Sequence, residues 1–394
     1  MNEQMKESEE SILHTYNRFP VVFEKGQGCY LYDSEGKEYL DFAAGIAVNS
    51  LGYHYPGYDE ALKDQIDKLM HISNLYYNEP IIEAGAKLVK AGKMSKAFFT
   101  NSGTEAIEGA LKAAKKYAYV RDGHADHEII AMNHSFHGRS IGALSVTGTA
   151  HYREPFEPLM GGVKFADFNN LESVKAQITD KTCAIITEVV QGEGGIYPAK
   201  KEFLEGLRQI CDEKDIMLIF DEIQCGMGRT GHYFAWQAYG VQPDIMTSAK
   251  ALGCGVPVGA FVLGEKAAKA SLEPGDHGTT YGGNPFVCAA VSKVFDIYEN
   301  DKIIEHVQEM TPYLEQKLDE LVAKHECAAT RRGMGFMQGI VIQGRPVGEV
   351  VKAALTKGLL VISAGSDVLR IVPPLVITKE HIDKMAAILD ECMK

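Results

Sequence analysis

IMLIFDEIQCGMGRTG, residues 216–231, and PDIMTSAK, residues 243–250, are the two stretches that decide the fold. The apolar run 216–220 is typical of a strand that is buried on both faces, and it ends in the carboxylate of Asp221. The second stretch is also apolar before it ends in Lys250. In an open α/β sheet, ligands bind beyond the carboxyl ends of the strands. An acid and an amine are therefore predicted to point into one crevice.

Asp221 and Lys250 together suit the chemistry of pyridoxal phosphate. A lysine amine can form a Schiff base with the aldehyde of that cofactor, and a carboxylate can keep its pyridine nitrogen protonated. Taken singly, an Asp at a strand end is more often a cap or turn residue, and a lysine is nearly always a solvated surface charge. The pair, placed at two predicted strand ends, favours a cofactor site over these ordinary roles.

The glycines of residues 226–231 offer a competing interpretation, because GMGRTG matches the G-x-G-x-x-G pattern of dinucleotide-binding loops. The match is poor. Asp221 and Glu222 would lie beside a dianionic pyrophosphate, and the next acid, Asp244, follows too closely to be the one that contacts the ribose. We therefore expect an irregular loop here, and an NAD-dependent oxidoreductase remains a distant alternative.

The bulk composition argues against several classes of function. The chain has 394 residues, of which 45% are hydrophobic, enough for a large core and more than one domain. A net charge of −13 argues against a nucleic-acid partner. The eight cysteines include no C-x-x-C motif, so we expect no metal site and reduced thiols. No apolar run reaches membrane-spanning length and the N-terminus lacks a signal-peptide core, which predicts a cytoplasmic protein.

A strand, a turn of small residues and a helix are predicted over residues 97–119, and this unit could bind an anion. Ser102 or Asn101 can cap the helix, and the free N–H groups at a helix N-terminus attract negative charge. An ordinary capped helix has the same pattern. The proximity of a suspected cofactor lysine, Lys250, makes a phosphate site the better interpretation. Glu105, in the first turn, is expected to point away from the anion.

Several motifs, from about Tyr16 to the C-terminus, resemble in order those of the class III aminotransferases, and within them the branch that acts on acetylornithine. DEIQCGMGRTG and PDIMTSAKALGCGVPVGA carry this resemblance most specifically. It implies the type I pyridoxal-phosphate-dependent transferase fold, an α/β architecture with a large, doubly wound, mostly parallel sheet domain and a smaller α+β domain. The large domain is expected at residues 56–290 and the small domain at residues 1–55 and 291–394. The alternation of strands and helices in the central region independently predicts a mostly parallel sheet.

The resemblance also implies roles for residues around the cofactor, pyridoxal 5'-phosphate. Lys250 and Asp221 are implied as the catalytic residues, Phe136 as the aromatic stacked on the ring, and Gln224 as a hydrogen-bond partner of the ring hydroxyl. The implied cofactor-binding set is Ser102, Gly103, Thr104, Phe136, Asp221, Glu222, Ile223, Gln224, Lys250 and Thr280.

Two arginines are implied to bind substrate carboxylates. Arg139 is implied to hold the carboxylate of the amino donor, and Arg370 the α-carboxylate of 2-oxoglutarate, with Glu193 masking Arg370 otherwise. The residues alone favour neither these roles nor ordinary surface and strand-edge positions. Thr279 is implied to lie by the substrate and Thr280 by the phosphate of a neighbouring subunit, so a homodimer would share its active sites.

The implied reaction moves the terminal amino group of N2-acetyl-L-ornithine to 2-oxoglutarate. The products would be N-acetyl-L-glutamate 5-semialdehyde and L-glutamate, as in arginine biosynthesis. Ornithine, succinylornithine, succinyldiaminopimelate and 4-aminobutyrate are alternative donors, and an aminomutase or a decarboxylase is an alternative reaction on the same scaffold. The expected partners are small amino-acid and 2-oxo-acid substrates, with no nucleic acid and no membrane. A non-catalytic relative is disfavoured because Lys250 and Asp221 are both present.

Overall fold

A computed structural model describes residues 3–394. Its helices are α1 (Glu3–Ser11), α2 (Ala44–Ala47), α3 (Tyr58–Lys68), α4 (Glu79–Gly92), α5 (Gly103–Asp122), α6 (Ile141–Ser145), α7 (Ala150–Arg153), α8 (Leu171–Gln177), α9 (Lys201–Lys214), α10 (Glu265–Ala270), α11 (Pro285–Asn300), α12 (Ile303–Lys324), α13 (Val347–Thr356) and α14 (Lys379–Cys392). No helix within this described range is both long enough and apolar enough to cross a membrane.

The strands form one large sheet, two sheets of four strands and a short two-stranded ribbon. They are β1 (Phe23–Gln27), β2 (Tyr30–Asp33), β3 (Glu38–Asp41), β4 (Lys96–Thr100), β5 (Glu128–Met132), β6 (Val163–Ala166), β7 (Thr182–Glu188), β8 (Val190–Gln191), β9 (Tyr197–Pro198), β10 (Met217–Asp221), β11 (Ile245–Ser248), β12 (Gly259–Leu263), β13 (Ala328–Met334), β14 (Met337–Ile342), β15 (Leu359–Leu360), β16 (Ile362–Ala364) and β17 (Val368–Ile371).

The large sheet has the strand order β4-β12-β11-β10-β7-β5-β6. Only β12 runs antiparallel to its neighbours, so the predicted mostly parallel sheet is confirmed. Every residue of β10 is buried, as its unbroken apolar sequence predicted. Asp221 at the end of β10 is in register with Thr247 of β11 and Glu188 of β7. This register places three polar side chains in a row at the carboxyl edge of the sheet.

Helix α5 packs closely on this sheet. Its buried positions are mostly alanines and a glycine, which keep the helix face flat. At Gly109 an added Cβ would lie 2.1 Å from the ring of Phe261 on β12, so only glycine allows the observed approach. The close packing fixes the position of the N-terminus of α5 relative to the ends of the neighbouring strands.

One of the two four-stranded sheets joins strands from the N-terminal and C-terminal regions of the chain, and the other contains C-terminal strands alone. The first has the order β1-β2-β3-β15, in which β15 pairs in parallel with β3 of the N-terminal region. The second has the order β13-β14-β17-β16 and carries Arg370 on β17. The division into domains at residues 56–290 remains a prediction.

The glycine-rich segment 226–231 forms an irregular loop, as expected, and no α-helix begins within or directly after it. The loop packs against the C-terminal part of the chain, where the N–H of Phe336 donates to the carbonyl of Arg229 at 2.8 Å. An added Cβ at Gly228 would lie 2.7 Å from Leu375. Since a dinucleotide loop needs a helix N-terminus for the pyrophosphate, this geometry argues against the dinucleotide interpretation.

Candidate active site

A cavity of about 430 Å³ lies beyond the carboxyl ends of β7, β10 and β11. Its position agrees with the general location of ligand sites in open α/β sheets. The predicted site residues that line it are Ser102, Gly103, Thr104, Phe136, Arg139, Asp221, Ile223, Gln224 and Lys250. Segments widely separated in the sequence therefore meet around one space.

Lys250 follows strand β11 and has a left-handed backbone, with φ at +49°. Non-glycine residues in this region are strained and are often found at functional sites. Burial lowers the pKa of the amine from its ordinary value of 10.5, and the nearby charges of Glu193 and Arg370 act in opposite directions on it. Within residues 3–394, the structure gives its Nζ atom no hydrogen bond or salt bridge. An unpaired amine of lowered pKa can act as a nucleophile or as a base.

Asp221 is held firmly by three donors. Nδ1 of His137 donates to Oδ2 at 2.7 Å, and a carboxylate can only accept, which assigns the proton to Nδ1. The backbone N–H of Ile223 donates to Oδ1 at 3.0 Å, and the hydroxyl of Thr247 donates to it at 3.2 Å. The carboxyl group is thus fixed in orientation at the edge of the cavity.

His137 and Glu188 line the cavity, and the sequence analysis assigned neither to the site. The His137 side chain is fully buried, and its Nε2 has no hydrogen-bond partner among the described residues. Burial raises the pKa of the Glu188 carboxyl well above its usual range, and Asp221 adds to the effect. The rule that singled out Asp221 could have found Glu188, because both end a buried strand. His137 had only a weaker signal, its position directly after Phe136 in the sequence.

The N-terminus of α5 forms one end of the cavity. The Ser102 hydroxyl accepts from the N–H of Glu105 at 3.3 Å, which confirms the predicted cap. The Glu105 carboxylate turns back to accept from the N–H of Asn101 at 2.6 Å and does not line the cavity, as expected. The N–H groups of Gly103 and Thr104 have no hydrogen-bond partner in the described chain, so they are available to an anion.

Arg370 is buried and bonded through both of its Nη atoms, whereas its Nε has no hydrogen-bond partner among the described residues. Its Nη1 donates to Oε1 of Glu193 at 2.6 Å and to Oε1 of Gln224 at 3.0 Å, and Nη2 donates to the carbonyl of Ser363 at 3.1 Å. Arg370 does not line the cavity itself. It reaches the cavity through Gln224, which does.

Arg139 is exposed and stacks on aromatic rings instead of pairing with an acid. Its guanidinium carbon lies 3.9 Å from the ring centre of Tyr152 and 5.3 Å from that of Phe136. No carboxylate of the described residues forms a salt bridge with it. Arg139 lies on the wall of the cavity and also borders a second cavity. A planar, unpaired guanidinium in this position suits a carboxylate ligand.

Four further residues that the sequence placed in the site do not line the cavity of their own chain, namely Glu193, Glu222, Thr279 and Thr280. The Glu222 carboxylate faces away and accepts from the N–H groups of Ala235 and Trp236, each at 2.8 Å. Thr279 accepts from the Asn101 side chain at 3.3 Å, and Thr280 is exposed to solvent. Neither threonine is placed at the cavity of its own chain, and the Glu222 side chain instead fixes the loop after β10.

The model of the family described as aminotransferase class-III matches residues 12–393. The acetylornithine aminotransferase of Clostridium acetobutylicum is 47% identical over 98% of this chain and 100% of its own length. The succinylornithine transaminase of Yersinia pseudotuberculosis is 43% identical over 95% of this chain and 92% of its own length. The chain is thus similar, over nearly its whole length, to enzymes with two different acylated donors in their names.

The structure is similar to that of the ornithine aminotransferase from Toxoplasma gondii, with a TM-score of 0.95 and 28% sequence identity. The superposition covers 99% of this chain and 93% of that chain. The Toxoplasma enzyme has partial occupancy of PLP at its active site. The fold shared by the two is the type I fold that the sequence motifs predicted.

Proposed function

This chain belongs to the class III aminotransferases, and we propose that it moves the terminal amino group of N2-acetyl-L-ornithine to 2-oxoglutarate. The products are N-acetyl-L-glutamate 5-semialdehyde and L-glutamate, as in arginine biosynthesis. One observation carries the chemistry: an unpaired amine of lowered pKa, on Lys250, shares a cavity with the fixed carboxylate of Asp221. The choice of donor is supported by the 47% identity with an acetylornithine aminotransferase over nearly the full length.

The cavity fits pyridoxal 5'-phosphate at three points. The Lys250 amine suits its aldehyde, the free N–H groups of Gly103 and Thr104 suit its phosphate, and Asp221 suits its ring nitrogen. An added Cβ at residue 103 would lie 3.0 Å from the side chain of Ile223, so glycine keeps the anion end open. When bound, this cofactor supplies an aldehyde for the amino group and a ring that withdraws electrons from the reacting carbon.

Lys250 is proposed to move the proton in the reaction. Its lowered pKa gives the amine a larger unprotonated fraction near neutral pH than an ordinary lysine has. The unprotonated Nζ can then take the proton from the donor carbon that bears the amino group. Asp221 contributes a fixed negative charge, because His137, Ile223 and Thr247 hold both of its oxygens in place.

Two dissimilar substrates must use this one site in turn, and the two arginines are proposed to divide them. Arg139, which has no acidic partner, binds the carboxylate of the donor. Arg370 binds the α-carboxylate of 2-oxoglutarate once Glu193 releases it. While the donor is bound, Glu193 neutralises Arg370, so a buried cation is never left without a counter-charge.

A second copy of the chain is proposed to complete each site. Thr279 and Thr280 lie in a loop held by Asn74, whose amide donates to the carbonyl of Gly282 at 2.8 Å. The segment that carries Asn74 also exposes large apolar side chains, with Leu75 exposed to 88% and Tyr77 to 95%. Apolar surface of this kind is typical of an interface between subunits. In a homodimer buried on this surface, the loop could reach the cavity of the neighbouring copy.

The cytoplasm is the proposed location. All eight cysteines are free, and all but Cys327 are buried. Unpaired thiols suit a reducing compartment.

A panel of amino donors tests the proposal. The purified protein, supplied with pyridoxal 5'-phosphate and 2-oxoglutarate, would be offered acetylornithine, ornithine, succinylornithine, succinyldiaminopimelate and 4-aminobutyrate in separate assays of glutamate formation. The expected result is the highest kcat/KM with acetylornithine and one glutamate for each semialdehyde. Glutamate formation from none of these donors would contradict the proposal, as would release of carbon dioxide in place of glutamate.

A further inference from the structure

A second cavity, of about 390 Å³, adjoins the active-site cavity, and the Arg139 side chain borders both. The mechanism proposed above uses Arg139 only where it borders the active-site cavity and gives this second cavity no role. The residues of its wall that matter here are Tyr16, Arg139, Ile141, Leu144, Tyr152 and Phe156.

The wall of the second cavity is almost entirely apolar and aromatic. Arg139 is the only charged side chain that lines it in the described part of the chain. Tyr16, Phe156 and Ile141 are 72%, 58% and 57% exposed, so this apolar surface has no partner within the chain. Clustered apolar surface beside a catalytic cavity is typical of a ligand-binding wall.

We propose that this second cavity binds the acyl group of the donor and selects a short, uncharged acyl group. The inference rests on the proposed function. In an N-acylated ornithine, the carboxylate and the acylated nitrogen are attached to the same carbon. If that carboxylate lies on Arg139 and the terminal amine points to Lys250, the acyl group must extend past Arg139, where the second cavity lies.

The lack of a second cation on the described wall explains why an acetyl group is preferred to a succinyl group. A succinyl group carries a second carboxylate, which would lose water against apolar side chains without gaining a cation, because Arg139 already holds the first carboxylate. Arg18, two residues from Tyr16, offers no free charge, since its Nη1 lies 3.6 Å from a carboxylate oxygen of Glu9. Free ornithine is also expected to bind weakly, because its positively charged α-ammonium would lie near the positively charged guanidinium of Arg139 and be repelled by it. An acetyl group avoids both costs.

Kinetics with two acylated donors test this inference. For the wild-type holoenzyme, kcat/KM with N-acetylornithine should exceed kcat/KM with N-succinylornithine by at least about tenfold, a usual size for discrimination by one group in a pocket. Phe156→Arg and Ile141→Arg each place a cation at the wall. Each should lower the acetyl-to-succinyl ratio by about tenfold, chiefly by raising kcat/KM for the succinyl donor. Both residues are exposed, so the melting temperature should stay near that of the wild type.

Tyr119→Arg is the matched control, because Tyr119 is also an exposed aromatic, at 50%, and lines neither cavity. Its acetyl-to-succinyl ratio should equal that of the wild type. If the wild type uses acetylornithine but does not discriminate against succinylornithine, or if both cavity variants keep the wild-type ratio, the acyl-cavity inference is wrong and the proposed function stands. If the wild type uses neither acylated donor, the proposed function itself fails.

Discussion

The acid on the floor of the active-site cavity and the two arginines at its rim differ in how their charges are satisfied. The floor carries Asp221 and Lys250, and the rim consists of Arg139, which lines the cavity, and Arg370, which reaches it through Gln224. On the floor, Asp221 accepts hydrogen bonds from three residues of the same chain. On the rim, Arg139 has no acidic partner, and Arg370 is bound by Glu193, whose side chain is 27% exposed. The floor is therefore organised before any ligand arrives, whereas the rim can exchange its partners.

This difference matches the demands of a reaction with two substrates in turn. The chemistry is the same in both halves, so the groups that perform it gain from a fixed geometry. The substrates differ in shape and in charge, so the groups that bind them must serve each one separately. Substitutions on the floor are expected to affect both half-reactions, and substitutions on the rim only one.

The largest effect is expected from Lys250→Ala. Removing the only amine that the described residues place in the cavity should lower the rate of glutamate formation by at least about 10⁴-fold, the upper end of what a positioned proton-transfer group contributes. Both half-reactions should be lost together in single-turnover assays. Lys214→Ala, at an exposed lysine near the end of α9, is the control and should retain full activity. Substantial turnover by a clean Lys250→Ala preparation would contradict the proposed role of Lys250 in proton transfer.

Two neighbouring carboxylates give the next test. Asp221→Asn should lower kcat in both directions by about 10²-fold, because a hydrogen bond to a charged group is worth about 1.5–3 kcal/mol. Glu222→Gln should instead lower the free energy of unfolding by about 1–3 kcal/mol, since two buried N–H groups would share one acceptor oxygen. Steady-state kinetics and urea unfolding on both variants separate the two effects. Equal losses of activity would mean that Glu222 also serves the cofactor.

Substitution of Arg139 and substitution of Arg370 should each slow a different half-reaction. Arg139→Lys should lower kcat/KM for the donor by about 10- to 100-fold, because lysine cannot form two parallel hydrogen bonds to a carboxylate. Arg370→Lys should do the same for 2-oxoglutarate, and each variant is the control for the other. Stopped-flow measurement of each half-reaction gives the result. A variant that slows both halves equally would show that the rim does not divide the substrates.

The smallest effect is expected from Glu193→Gln. Without its charged partner, Arg370 should attract the donor carboxylate in the wrong orientation and lower the preference for acetylornithine over glutamate as donor. The change should be about two- to fivefold, the size of a partly screened ion pair of about 0.5–1 kcal/mol. The ratio of the two kcat/KM values measures it. An unchanged ratio would show that the bond between Glu193 and Arg370 has no part in choosing between substrates.

The buried strand before Asp221 and the cap of α5 could be predicted from the sequence because their signals are local. The unbroken apolar run before Asp221 predicted a buried strand, and the structure has β10 in that place, displaced by one residue. The small residues before α5 predicted a cap at Ser102 or Asn101, and the structure has it at Ser102. Such features depend on neighbours within a few positions, where backbone preferences and side-chain size act directly.

Other features depend on contacts between distant segments, which no local pattern records. The His137 contact with Asp221 joins residues 84 positions apart, and the Arg370 contact with Glu193 joins residues 177 positions apart. Adjacent acids, Asp221 and Glu222, looked alike in the sequence, yet only packing turned one toward the cavity and the other toward Ala235 and Trp236. The resemblance to a family pointed to Arg139 and Arg370 as candidate carboxylate-binding residues. The tertiary structure alone decides that Arg139 has no acidic partner among the described residues and that Arg370 pairs with Glu193, because the fold determines which side chains lie within reach of each guanidinium.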